Sequence, residues 1–318
     1  MKITVLGCGR WGSFIAWYLD GIGHEVTLYG PKGTPDIERF FRERTNGTIN
    51  IKDSMKLSCD LDCVIGADAI VVSVPSQILR SLMKELEPYN LKNVTFILCM
   101  KGIEIDTGKR LSEVVAENTD KSNKVAVWIG PGHPQEFVKG HPNCMVIDSE
   151  DEETKKKLVD SFSSDLIRFY YGSDIIGNEV GAAAKNVIGI AAGMLDGYEL
   201  GALKGALMSR GTHEVARLIS AMGGNAFTAY GLCHLGDYEA TVFSRFSHNR
   251  AFGESWVKKE KYEALAEGYY TVKAMVKLCE KYNVEMPITE AVYKILYENA
   301  DPKESLGKLF SRSIKQEF

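Results

Sequence analysis

Residues 1–19 read MKITVLGCGRWGSFIAWYL, and the fold is decided there. Lys2–Leu6 is an apolar run rich in β-branched residues, and residues 13–19 repeat apolar side chains at helical spacing. Between them Gly7, Gly9 and Gly12 form GxGxxG. The motif is weak alone and strong between a strand and a helix. In that setting Gly7 permits the tight turn, Gly9 lets the backbone approach a pyrophosphate, and Gly12 lets the helix pack on the sheet while its first amides face the anion. Trp11, inside the loop, either packs or walls the cofactor. The expected fold is α/β, opening with a Rossmann dinucleotide-binding domain.

The second strand, Glu25–Tyr29, ends in Gly30-Pro31-Lys32-Gly33-Thr34. No acid stands there for the ribose hydroxyls, as strict NAD selection usually requires, while Lys32 could attract a 2′-phosphate. NAD and NADP both stay open. Further strands at 69–74 and 94–100, with helix-length segments between, read as alternating βα units of a parallel sheet. Ligands of such sheets sit beyond the carboxyl ends of the strands, which places Lys101 to meet a phosphate or carbonyl oxygen. Its other reading is an exposed lysine after a strand. The strand Lys124–Ile129 runs into Gly130-Pro131-Gly132-His133-Pro134, a turn whose backbone amides can hold an oxyanion, or an ordinary turn. His133 and His141 lack metal-ligand spacing, so no metal is expected. Runs at 143–148 and Ile167–Tyr171, separated by a charged helix at 150–163, complete the strands.

From about Gly172 the pattern is helical, which divides the chain into a Rossmann domain, 1–175, and an all-α substrate and catalytic domain, 176–318. The second unit opens with residues 179–195, EVGAAAKNVIGIAAGML, apolar or small on every face. Lys185 is its one cation. Gly181 and Gly189 lie one turn to either side, leaving space or admitting a close neighbour. A lysine on such a helix faces either a cavity or an interior carboxylate, or snorkels. Helix 204–222 follows. Asp237 and Thr241, at i and i+4, would share one helix face, close in sequence to Ser247-His248-Asn249-Arg250. Leu265, Tyr269, Val272, Val276 and Cys279 fall in phase, and 288–299 reads as a last packing helix.

The totals exclude several function classes. With 318 residues, 45% hydrophobic and 25% charged content and a net charge of -4, the chain is an ordinary globular protein without a polyanion-binding surface. Nucleic acid is not an expected partner. The start runs directly into a strand, and no apolar run is long enough for a bilayer, so the expected location is the cytoplasm without membrane insertion. Seven scattered cysteines without a CxxC pair argue for reduced thiols.

Taken together, GCGRWG at Gly7, KGIE at Lys101, GPGHPQE at Gly130, the helix around Lys185, SRG at Ser209, GLCHLGD at Gly231 and SHNRAFG at Ser247 resemble the bacterial NAD(P)-dependent glycerol-3-phosphate dehydrogenases over nearly the whole chain. The resemblance implies an oxidoreductase that interconverts dihydroxyacetone phosphate and sn-glycerol 3-phosphate for phospholipid synthesis, usually as a homodimer. It makes Lys185 the proton donor and acceptor, with Asp237 and Thr241 beside it. Lys101, Gly130, Gly132, Lys185, Asp237, Ser247, His248 and Asn249 would meet substrate. Gly7, Gly9, Trp11, Gly12, Lys101, Pro134, His248 and Glu267 would meet the cofactor. Three positions depart from the family pattern: Gly132 stands for a serine, His248 for an arginine that Arg250 would replace, and Pro31 for a basic residue. A related dehydrogenase acting on 6-phosphogluconate or ketopantoate, and a catalytically silent nucleotide-sensing module, are the alternatives.

Overall fold

The computed structural model describes residues 1–311; positions 312–318 of the expected helical unit lie outside them. The first part alternates strands and helices: β1 Lys2–Leu6, α1 Arg10–Gly21, β2 Glu25–Tyr29, α2 Pro35–Glu43, β3 Lys56–Ser58, β4 Ala69–Val72, α3 Leu79–Leu86, β5 Thr95–Leu98, α4 Leu111–Glu117, β6 Lys124–Ile129, α5 Pro134–Phe137, β7 Asn143–Ser149, α6 Glu152–Phe162 and β8 Ile167–Tyr171. The strands lie in the order β3-β2-β1-β4-β5-β6-β7-β8. Every pair is parallel except β6 with β7, so the wholly parallel sheet expected from the alternation has one reversal. The order turns back between β1 and β4, the switch point at which open α/β sheets bind ligands.

The central strands are apolar on both faces because helices cover both. Ala69, Ile70, Val71 and Val72 of β4 are all fully buried. β3 escapes a pattern search because its three residues sit at the sheet edge and pair with β2 alone.

Beyond β8 all long elements among the described residues are helices: α7 Ile175–Gly197, α8 Lys204–Ala221, α9 His248–Lys258, α10 Glu267–Tyr282, α11 Pro287–Tyr297 and α12 Pro302–Phe310. The Asp174 side chain caps α7 by accepting from the Gly177 amide at 3.0 Å. Every residue from Gly177 to Leu195 is buried, because α7 runs through the middle of the helical part with Val215, Ile219, Met275 and Val292 around it. Two glycines let α9 cross it. A β-carbon on Gly193 would stand 1.9 Å from the Arg250 carbonyl oxygen, and one on Gly253 2.0 Å from that of Ile190. No described helix is long and apolar enough to cross a membrane.

Candidate active site

The carboxyl ends of β1, β4, β5 and β6 face α7, α9 and the start of α10 across a cleft of about 530 Å³. At one side lies the glycine loop. A β-carbon on Gly12 would collide with the Gly7 carbonyl oxygen at 1.9 Å, so α1 can approach the turn this closely only with glycine at that position. A β-carbon on Gly9 would meet nothing within 4 Å, so the space beside its backbone is open. Trp11 both packs, against Phe14 with ring centres 5.1 Å apart, and lines the cleft.

Lys185 opens on the cleft from the middle of α7. Its Nζ donates to Thr241 Oγ1 at 2.6 Å and lies 2.7 Å from Asp237 Oδ2. Both alternatives read from the sequence hold at once: an interior carboxylate partners the lysine, and the pair lies at the cleft. Gly181 and Gly189 admit the partner segment, with Cys233 and His234 against the first and Thr241 against the second. Asp237 and Thr241 do not share an α-helical face as the i, i+4 spacing suggests. Asp237 closes a 3₁₀ turn, Leu235–Asp237, and Thr241 lies in a π-turn, Glu239–Phe243. The widened turn is held where Lys204 Nζ donates to the Val242 carbonyl at 3.0 Å.

From the sheet side Lys101 Nζ reaches the same Asp237 oxygen at 2.7 Å and donates to the Gly130 carbonyl at 2.9 Å. Two ammonium groups therefore share one carboxylate. Asp237 is fully buried, and its Oδ1 has no hydrogen-bond partner among the described residues. Burial, partly offset by Asp237 and reinforced by the neighbouring Lys101 charge, brings the Lys185 pKa down to about 8. Desolvation, with Arg10 and Lys185 nearby, takes His133 down to about 4, so its imidazole is neutral at ordinary pH.

A second chain of hydrogen bonds joins the walls. Asn186 Nδ2 donates to the Lys101 carbonyl at 3.2 Å, Asn249 Nδ2 donates to Asn186 Oδ1 at 3.0 Å, and the Gly268 amide donates to Asn249 Oδ1 at 2.8 Å. Glu267, next to Gly268, accepts from the Ser76 amide at 3.1 Å and from Ser76 Oγ at 2.7 Å. Its burial raises its pKa. Ser247 caps α9, and His248 shares a 2.7 Å hydrogen bond with the Tyr262 hydroxyl.

Of the residues expected at the site, Gly9, Trp11, Gly12, Lys101, Gly132, Pro134, Lys185, Thr241, Ser247, His248, Asn249 and Glu267 line this one cleft. Gly7 and Gly130 stand behind it, and Asp237 lies beneath the two lysines. Gly132 has a steric reason to lack a side chain: its φ is +141° and a β-carbon would stand 2.3 Å from the Phe137 ring. Two further expectations fail. Arg250 does not take the place of an arginine at 248, because it is held by Asp196 at 2.8 Å and Glu254 at 2.9 Å. Leu265 is not in the α10 stripe; it precedes the helix and is half exposed on the cleft wall.

Sequence reasoning missed Arg10, Asp36 and Asn186, which line the cleft. Asn186 adjoins Lys185 in a helix with no other polar neighbour nearby, a signal that was available. Asp36 stands on the first turn of α2, two residues beyond Thr34, and lines the cleft.

Two family models match the chain: the N-terminus of NAD-dependent glycerol-3-phosphate dehydrogenase over residues 2–155 and its C-terminus over 174–307. A glycerol-3-phosphate dehydrogenase [NAD(P)+] of Chlorobium phaeobacteroides is 38% identical over 100% of this chain and 99% of its own length. One from a Thermoanaerobacter species is 36% identical over 100% and 99%. The crystal structure of glycerol-3-phosphate dehydrogenase from Coxiella burnetii superposes with a TM-score of 0.91 at 29% identity, covering 98% of this chain and 99% of that one. A ketopantoate reductase from Ralstonia eutropha, at TM-score 0.64 and 14% identity over 96% of this chain and 100% of its own, shares the fold.

Proposed function

Because the chain belongs to the NAD-dependent glycerol-3-phosphate dehydrogenase family, we propose that it interconverts dihydroxyacetone phosphate and sn-glycerol 3-phosphate with NAD(H) or NADP(H), supplying phospholipid synthesis. We take its units as 1–175 and 176–318 and its working form as a cytoplasmic homodimer. Exposed aromatic residues on the helical part, Phe227 at 80% and Tyr230 at 43%, support a self-association surface. Light scattering tests it.

The cofactor fits the residues present. The open backbone at Gly9 and the first amides of α1 suit a pyrophosphate, and Trp11, Pro134, His248 and Glu267 line the path from there to Lys185. When bound, the nicotinamide supplies or takes the hydride. Lys185 and Thr241 then face the oxygen on which negative charge develops, and the Lys185 ammonium gives it a proton. Asp237 keeps that amine in place and favours its charged form, while burial favours the neutral one, so the group works in both directions. Lys101, Gly130, Gly132, Ser247 and Asn249 hold and orient the substrate against this pair.

The observation that carries the reading is Lys185 Nζ between Thr241 Oγ1 and Asp237 on the wall of a cleft that begins at Gly9. The test is oxidation of NADH or NADPH by purified protein, expected with dihydroxyacetone phosphate and not with 2-ketopantoate. Cofactor binding without turnover on the triose would defeat the proposal and favour the nucleotide-sensing alternative.

A further inference from the structure

The carboxylate of Asp237 is held by charge alone: one oxygen meets the two lysines, and the other has no partner among the described residues. Its position is therefore decided by its backbone, a 3₁₀ turn of three residues followed by a π-turn, both too short to fix themselves. The flanking side chains supply the hold. His234, three residues before Asp237, and Tyr238, directly after it, are both fully buried, and neither lines the cleft. His234 Nδ1 lies 2.8 Å from the Gly181 carbonyl oxygen, and its Nε2 lies 2.7 Å from the Tyr238 hydroxyl. A carbonyl only accepts, so Nδ1 carries the hydrogen and Nε2 receives the one from Tyr238, which fixes the tautomer. Burial lowers the His234 pKa to about 4, so the ring is neutral at ordinary pH. Gly181 stands four residues before Lys185 on α7, so its carbonyl is also the one that the Lys185 amide meets in the helix ladder. One imidazole thus joins the turn of α7 that carries the lysine to the turn that carries its carboxylate. The approach is close: a β-carbon on Gly181 would stand 3.2 Å from that of His234 and 2.9 Å from Cys233 Sγ.

We propose that His234 is a positioning residue, which sets the register of the Asp237 turn against α7 so that one carboxylate oxygen meets the Lys185 amine. The inference rests on the proposed role of Lys185 in proton transfer. His234 acts without touching substrate or cofactor, through the Gly181 carbonyl on one side and the Tyr238 hydroxyl on the other. Lys185 answers to two neighbouring charges, Asp237, which favours the ammonium, and Lys101, which opposes it. His133 and His234, which also feel its charge, are neutral. A turn that drifts weakens the first of these influences, and the amine then gives up its proton at lower pH.

The test uses the full chain with four variants. His234→Phe keeps a buried ring and removes both hydrogen bonds, Tyr238→Phe removes one, a third combines the two, and His234→Gln restores a donor and an acceptor. Both kcat and the KM for dihydroxyacetone phosphate are read at saturating NADH across the range in which Lys185 titrates. In His234→Phe, kcat is expected to fall about tenfold with KM within about twofold, and the midpoint of the reductive profile to move below that of the parent. Tyr238→Phe should move both the same way by less, the double variant should fall no further than His234→Phe, and His234→Gln should recover part of the loss. The titration of Lys185 itself is read by NMR on protein carrying ¹³C at the lysine ε-carbons, assigned with Lys185→Arg, and needs no turnover. A parent that does not reduce the triose defeats the proposed activity and leaves the NMR midpoint to decide the inference. A packing role alone would lower the melting temperature and leave the midpoint in place. Midpoints within about 0.2 pH unit of the parent in His234→Phe and Tyr238→Phe, or in Tyr238→Phe alone should the first not fold, would overturn the inference.

Discussion

A lysine and a fully buried carboxylate are an uneasy pair, and at this site a second lysine sits on the same oxygen. The consequence is a proton whose affinity is balanced. With the Lys185 pKa near 8, reduction of the ketone, which needs the ammonium, is expected to hold steady below that pH and to fall as pH rises through it. Oxidation of the alcohol needs the free amine and rises over the same interval. Initial rates in both directions across pH 6 to 10 check the sign, and parallel profiles would remove Lys185 from proton transfer. Lys185→Ala is expected to lower kcat about a hundredfold or more with NADH affinity little changed. Lys101→Ala takes away a like charge that depresses the Lys185 pKa, so the midpoint should move upward while the KM for the triose rises. A fall in kcat alone, with no shift in midpoint, would contradict the placement of Lys101. Lys185 could be found from the chain because a cation on a helix apolar all round demands a reason. Arg10 could not, since an arginine in a surface loop is unremarkable until the opposite wall of the cleft is known.

At the scale of elements, the crossing of α7 and α9 sets the site. Ser247 and Asn249 begin α9, and their distance from Lys185 depends on how closely the two helices pass. Gly253→Ala would set a methyl group 2.0 Å from a backbone oxygen that cannot step aside alone. It is expected to cost about 3 kcal/mol or more and to raise the KM, as denaturant unfolding and steady-state kinetics would measure. Gly307→Ala on α12, where a β-carbon meets nothing within 4 Å, serves as the comparison and should be neutral or stabilising by up to about 1 kcal/mol. Equal effects of the two would refute the close-crossing argument. The sequence made α7 legible, with its glycines marked as points of approach. It could not reveal the 3₁₀ and π turns that carry Asp237 and Thr241, because a spacing of four fits an α-helix equally well, and the Val242 carbonyl of the π turn bonds outside it, to Lys204 of α8.

For the whole molecule, the sheet followed by helices was readable from the alternation of short apolar runs and then its absence. The reversal at β7 and the edge strand β3 were not, since strand direction depends on the connection, and three residues carry no period. A cofactor that seats between the two parts should stabilise both together. NADH at about a hundred times its dissociation constant is worth about 2.7 kcal/mol, which for a chain of this size raises Tm by about 4 °C. Differential scanning fluorimetry with and without NADH measures it, and an unchanged melt would mean that the nucleotide does not bind the folded chain.

The carboxylate that two lysines share has a further implication. Asp237 and Lys185 both belong to the helices and Lys101 to the strands, so the sheet half alone carries a cation whose partner lies in the other half. Prising the halves apart would strip Asp237 of one counter-ion, and hinge motion around the cleft therefore works against a charge lock. A chimera that grafts a foreign sheet onto these helices would have to bring its own basic side chain at the end of β5.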